Sequence, residues 1–175
     1  YGALQNQNFA TATNSLNVAV GIEAGYAITT ATHNTLIGAN AGDALTTGSS
    51  NVAVGYLALS TDDVGQHNVA IGRQALENLN IATASNTYNV AIGSSAGNAL
   101  TTGTDNVFVG GIAGDALTTG GENVVVGAGA LGSDTKGSHT VAIGRLALAA
   151  QNFTTAVDSY NVAVGFEAGN DITTG

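Results

Sequence analysis

The chain contains no cysteine, proline, methionine or tryptophan, and only three basic residues, Arg73, Lys136 and Arg145. Without cysteine there are no disulfides and no thiolate metal sites. With so few cations and a formal net charge of −9, the chain cannot displace counterions from a phosphate backbone, so nucleic acid is excluded as a partner, and an anionic membrane surface with it. Charged residues make up only 9%, so the usual solvated helix faces have nothing to be built from. Valine, threonine, asparagine and glycine dominate instead, a composition that favours strands and tight turns. No signal peptide or membrane span is visible. The sequence opens without methionine and stops partway through a repeat, so we expect a segment of a longer protein.

What is present is a period. Nine segments of the type N-V-A-V-G begin at Asn17, Asn34, Asn51, Asn68, Asn89, Asn106, Asn123, Thr140 and Asn161, in steps of 17 residues with 21 at every fourth step. A period this short predicts a solenoid, each coil stacking on the next. We therefore expect an all-β parallel β-solenoid of nine coils, one repeat domain over residues 1–175.

Counting each coil from its asparagine as position 0, glycine holds position +4 and alanine +7 in all nine coils. Glycine there suits a positive φ or a close backbone approach. The constant alanine predicts room for one methyl group. Positions +1 and +3 are β-branched in every coil, which predicts a strand with those side chains in the coil interior. Position +2 then faces outward: Ala19, Leu36, Ala53, Ala70, Ala91, Phe108, Val125, Ala142 and Ala163, none of them polar. An apolar ridge of that length should not stand in water. Further copies of the same chain are expected to cover it, which makes those nine residues the candidate interface of a homo-oligomer. The asparagines at position 0 are expected to stack as an amide ladder.

Position +8 reads Gly, Gly, Leu, Leu through the coils, and each second Leu coil carries four extra residues, so the full unit spans four coils and 72 residues, beginning near 17 and 89. Residues 1–16 align with the tail of a long coil. The apolar residues at +11, such as Leu45 and Leu117, are expected to close the interior from a second strand, and the insertions to bulge from one side.

No catalytic constellation stands out, and we expect no enzyme, no cofactor and no bound metal. His33, His67 and His139 share one column in separate coils and cannot converge on a metal ion; turn roles are expected. Asp43, Asp115, Asp62, Asp63 and Asp134 are read as solvated carboxylates, and the glycine-rich nonapeptide of calcium-loaded rolls is absent. Exposed aromatics are the better lead. Tyr26, Tyr56, Tyr88, Tyr160 and Phe166 are candidate glycan contacts, because aromatic faces beside asparagine, threonine and aspartate suit sugars.

The N-V-A-(V/I)-G core followed by x-x-A, as in Asn68 to Leu76, resembles the head repeats of trimeric autotransporter adhesins and the repeats of phage tail fibres. The resemblance implies a left-handed β-roll, three chains around one axis, and an extracellular fibre on a virion or bacterial surface that attaches to a cell-surface glycan or receptor. The coils here are longer than those of the autotransporter heads. Two alternatives from other classes are an ice-binding solenoid, suggested by adjacent threonines such as Thr46-Thr47, and a non-adhesive self-assembling extracellular filament.

Overall fold

The computed structural model describes residues 1–174. Its strands are β1 (Val18–Val20), β2 (Thr35–Ile37), β3 (Val52–Val54), β4 (Val69–Ile71), β5 (Val90–Ile92), β6 (Val107–Val109), β7 (Val124–Val126), β8 (Gly137–Ser138), β9 (Val141–Ile143), β10 (Val157–Asp158) and β11 (Val162–Val164). Nine of them form one parallel sheet in the order β1-β2-β3-β4-β5-β6-β7-β9-β11, and β8 pairs with β10 in a second, two-stranded sheet. The described residues contain no helix. The register keeps like with like, so that Ala91 pairs with Phe108 and Phe108 with Val125. This is the expected all-β parallel solenoid.

Two backbone features turn the chain out of each strand. The residue before position 0 adopts a left-handed conformation in every coil, with φ from 49° at Tyr88 to 63° at Ser50. The glycine at +4 follows, with φ of 142° at Gly93. A Cβ at Gly93 would collide with the carbonyl oxygen of Gly110 in the next coil, so the close approach as well as the dihedral demands glycine. The strand is thus a short straight side between two corners.

The asparagine ladder is present in a different form from the one expected. The side-chain oxygen of each asparagine accepts a hydrogen bond from the backbone N–H of its successor, as from Asn34 to Asn17 (2.9 Å), Asn51 to Asn34 (2.8 Å) and Thr140 to Asn123 (2.8 Å). The side-chain nitrogen turns inward and donates to the carbonyl at +14 of its own coil, Gly48 for Asn34 and Gly65 for Asn51. The backbone of the next coil, rather than its amide, is the usual partner; amide-to-amide bonds join Asn106 to Asn89 and Asn123 to Asn106.

With the asparagines inside, the strand's two-residue alternation settles the rest, and it corrects the expected orientation. Position +2 lies in the core, with Leu36, Ala53, Ala70, Ala91, Phe108, Val125 and Ala142 fully buried, Ala163 nearly so, and Ala19 in the first coil packed against the cluster. Positions +1 and +3 face outward. The nine residues expected to meet a partner chain therefore cannot do so. The interior takes one side chain per strand, at +2, beside the +7 alanines, which are buried from Ala24 to Ala147.

Core volume is conserved between columns. Where +8 is leucine, as at Leu59, Leu76, Leu131 and Leu148, that side chain fills the interior and +2 is alanine or valine. Where +8 is glycine, one large +2 residue serves two coils. Cβ atoms built on Gly25 and Gly42 would lie 2.7 and 2.8 Å from Leu36 side-chain atoms, and one on Gly97 would lie 2.7 Å from Phe108. Phe108 therefore fills the interior, not the oligomer axis expected for it. The four +8 leucines have φ near 50°. That conformation costs a non-glycine residue roughly 1–2 kcal/mol, which burial of the side chain offsets at about 1.5–3 kcal/mol.

The +11 residues Ile28, Leu45, Leu100 and Leu117 close the core as expected, but from irregular backbone rather than from a second strand. Both insertions stand out from the stack as expected. Residues 82–86 and 154–158 are exposed. Gln66 pairs with Asn86 through a single bridge, and the later insertion supplies β10.

Candidate functional site

The outward side of the nine-stranded sheet carries two ranks of β-branched side chains. Val52, Val69, Val90, Val107 and Val141 are half-buried by their neighbours in the rank, and the terminal Val162 is 71% exposed. In the second rank Ile37, Ile71 and Ile92 remain about 40% exposed. Thr35 alone interrupts the aliphatic surface. With a strand spacing of about 4.8 Å the ranks run on the order of 38 Å. At a width of about 13 Å they span roughly 500 Å², the size of the largest and often functional apolar patch on a typical protein.

This face is bounded by the two corners. On the leading corner, just before position 0, stand Leu16, His33, Ser50, His67, Tyr88, Asp105, Glu122, His139 and Tyr160, all with positive φ. The three histidines thus hold the turn positions expected of them. On the trailing corner, position +5, stand Tyr56, Arg73, Arg145 and Phe166 among smaller residues. The His67 ring stacks on Tyr88 (5.1 Å between centroids, 17° between planes), and one 72-residue unit later His139 meets Tyr160 at a tilt (5.2 Å, 32°). His139 also joins two acids: its Nε2 lies 3.3 Å from Glu122 and its Nδ1 3.1 Å from Asp158. Arg145 sits 5.7 Å from the Phe166 ring centroid and 4.0 Å from the Glu167 carboxylate.

The five aromatic glycan candidates are all exposed, from 38% at Tyr26 to 68% at Tyr160, but they do not gather. Tyr88 and Tyr160 lie on the leading corner four coils apart, about 19 Å. Tyr56 and Phe166 lie on the trailing corner, and Tyr26 belongs to a third column, at +9. Four of the five flank the apolar face. No concave pocket opens among the described residues, and none of their His, Asp and Glu side chains form a group of three placed to hold a metal ion. In the threonine pairs the first hydroxyl is tied along the stack, while the second residues, Thr30, Thr47, Thr102 and Thr119, are exposed. Thr46 donates its hydroxyl to the Asp63 carbonyl (3.1 Å), Thr101 to Thr118 (2.9 Å) and Thr118 to Thr135 (2.7 Å).

The acidic residues depart furthest from expectation. Asp62 and Asp134 are fully buried at +11 rather than solvated, where the other coils hold leucine, isoleucine or, at Gln151, glutamine. Asp62 Oδ1 accepts from the Gly65 N–H at 3.0 Å, while Oδ2 has no partner. Burial pushes its carboxyl above the usual aspartate range, against the pull of the backbone N–H bonds. Asp43 and Asp115 are also shifted upward by partial burial, opposed at Asp43 by the Asn40 amide.

Sequence reasoning found the exposed corners but chose the wrong strand face. The missed signal was the exchange of volume between +2 and +8, because two columns can compensate in size only if they share one interior. Comparison with protein-family models, curated proteins and solved structures found no match for this chain.

Proposed function

We propose that this chain is a shaft or head segment of a homotrimeric extracellular attachment fibre, its three copies packed through the valine and isoleucine ranks at +1 and +3. The observation that carries this reading is the aliphatic face nine strands long. Burying roughly 500 Å² of it in each copy would stabilise an assembly by about 25 cal/mol per Å² before association costs are subtracted. Three is the number that the resemblance to adhesin heads and tail fibres implies. The same resemblance supports an extracellular setting on a virion or bacterial surface, and a cell-surface glycan or receptor as the outside partner. The exposed tyrosines support glycan contact in the form of weak sites repeated along three chains, which gain avidity from multiplicity. The work of such a segment is mechanical: it spaces and presents binding surfaces without catalysing a reaction.

Lysine placed on the face tests the reading. Val107→Lys combined with Ile92→Lys should give folded single chains by light scattering and circular dichroism. An assembly of unchanged mass in that variant would overturn the reading. Labelled wild-type protein should adhere to intact target cells and lose adhesion after glycosidase treatment; adhesion that survives the treatment would remove the glycan part.

A further inference from the structure

We propose that the trailing corner binds a carboxylate-bearing glycan laid along the stack, held by two clamps of one arginine and one aromatic ring each. This rests on the glycan part of the reading above and names the class of sugar.

The +5 column has a pattern that the fold does not demand. Arg73 and Arg145 stand at the same place in successive 72-residue units, four coils or about 19 Å apart. Each has an exposed aromatic neighbour one coil further out, Tyr56 beside Arg73 and Phe166 beside Arg145. Between the two pairs stand only Ser94, Gly111 and Ala128. Gly111 is the informative one. Its φ is not positive, and a Cβ built on it would come no closer than 4.0 Å to a neighbour. Neither backbone nor packing requires glycine there, and its effect is to keep that rung low. The column is a shallow floor three coils long between two raised ends.

Charge selects the ligand. The chain holds 12 acids and three bases, yet Arg73 has no ion pair among the described residues, and Arg145 reaches Glu167 only at 4.0 Å. The acid nearest Arg73 in sequence, Glu77, is taken up by two amides instead, Gln74 Nε2 at 2.7 Å and Asn98 Nδ2 at 2.9 Å. A guanidinium without a firm partner suits a carboxylate, which it meets through two parallel hydrogen bonds. The aromatic face beside it suits the C–H face of a sugar ring. A neutral glycan would use the rings and leave the cations idle. One such exposed contact is weak, so the site draws its strength from two clamps per chain and several chains per fibre. The column lies outside the +1 and +3 ranks, so packing through those ranks leaves it at the solvated rim of the contact.

Immobilised polygalacturonate tests the proposal, with dextran as the neutral control and polyglutamate as the acidic control without sugar. The wild-type chain should bind polygalacturonate more tightly than either and release it as salt rises. Arg73→Gln with Arg145→Gln should weaken that binding by about tenfold or more, while Lys136→Gln should leave it unchanged. Gly111→Leu, which the backbone accommodates, should weaken it by filling the floor. Equal binding to dextran or polyglutamate, or full binding by the double arginine variant, would overturn the site. So would the absence of polygalacturonate binding in a protein that still adheres to cells in a glycosidase-sensitive way, a result that leaves the glycan reading intact. A chain that binds neither cells nor polygalacturonate would overturn both.

Discussion

Asp62 and Asp134 occupy the same place in successive 72-residue units, yet one is left short of a partner and the other is not. Asp134 Oδ1 accepts from the backbone N–H groups of Gly137 and Phe153, both at 3.0 Å, and its Oδ2 accepts from Gln151 Nε2 at 2.7 Å. The Gln151 amide also reaches Thr140 Oγ1 (3.2 Å) and accepts from the Asn161 side chain (2.8 Å). In the earlier unit the equivalents of Thr140 and Gln151 are Asn68 and Leu79. Leucine offers nothing to Asp62 Oδ2, and the Asn68 side-chain nitrogen is equally without a partner. The insertion explains the second orphan. Elsewhere the asparagine amide donates to the carbonyl at +14, and the extra residues of the long coil take that carbonyl away. Threonine with glutamine solves the problem in the later unit; asparagine with leucine leaves it in the earlier one. Identical scaffolds therefore differ locally by the cost of two buried polar atoms, each on the order of 1–3 kcal/mol.

The largest effect that sharpens this comparison comes from the core fillers. Phe108→Ala should cost about 3–5 kcal/mol and Leu36→Ala about 2–4 kcal/mol in chemical denaturation, because each leaves two glycine coils without filling. Equal and small losses would show that the two columns do not share one space. Next, Gln151→Leu should convert the later unit to the state of the earlier one and lower stability by about 1–3 kcal/mol. Conversely, Asn68→Thr with Leu79→Gln should raise stability by about 1 kcal/mol, measured as a shift in denaturation midpoint at constant slope.

The smallest effect is the pH dependence. The Asp62 carboxyl titrates above its unfolded value of 3.8, so the folded state holds the proton more tightly. Its ionisation therefore destabilises the fold at neutral pH. That penalty should fade as pH falls through the folded pKa toward 3.8, and change no further below it. Asp43 and Asp115 act in the same direction. Denaturation midpoints should rise on mild acidification, and rise less in the Asn68→Thr, Leu79→Gln variant. A midpoint that falls over that window would contradict the assignment.

Much of the fold was legible because each coil restates the same constraints. Glycine at +4, alanine at +7 and the 17-residue step specify coil number, register and corners without reference to distant contacts. The facing of the strand was not, because the usual association of β-branched residues with a buried face is a statement about packing. Here the interior is filled by the +2, +7 and +8 columns, and the valines at +1 are left for the outside. The asparagines held the correction, since position 0 and position +2 share a face and the ladder had to be dry. The buried aspartates were hidden for another reason: a lone carboxylate in an apolar column reads as a break in the repeat until the N–H groups of its own turn and of the next coil are seen around it. The exposed aromatics were found, but only stacking showed that two of them, Tyr88 and Tyr160, belong with histidines on one corner.

The central claim is that the outward valine and isoleucine ranks are covered by sister chains. Sedimentation equilibrium of the purified chain tests it most directly. The account predicts a single species at three times 17.1 kDa that is independent of loading concentration. A soluble, folded species of 17.1 kDa over the same range would contradict it.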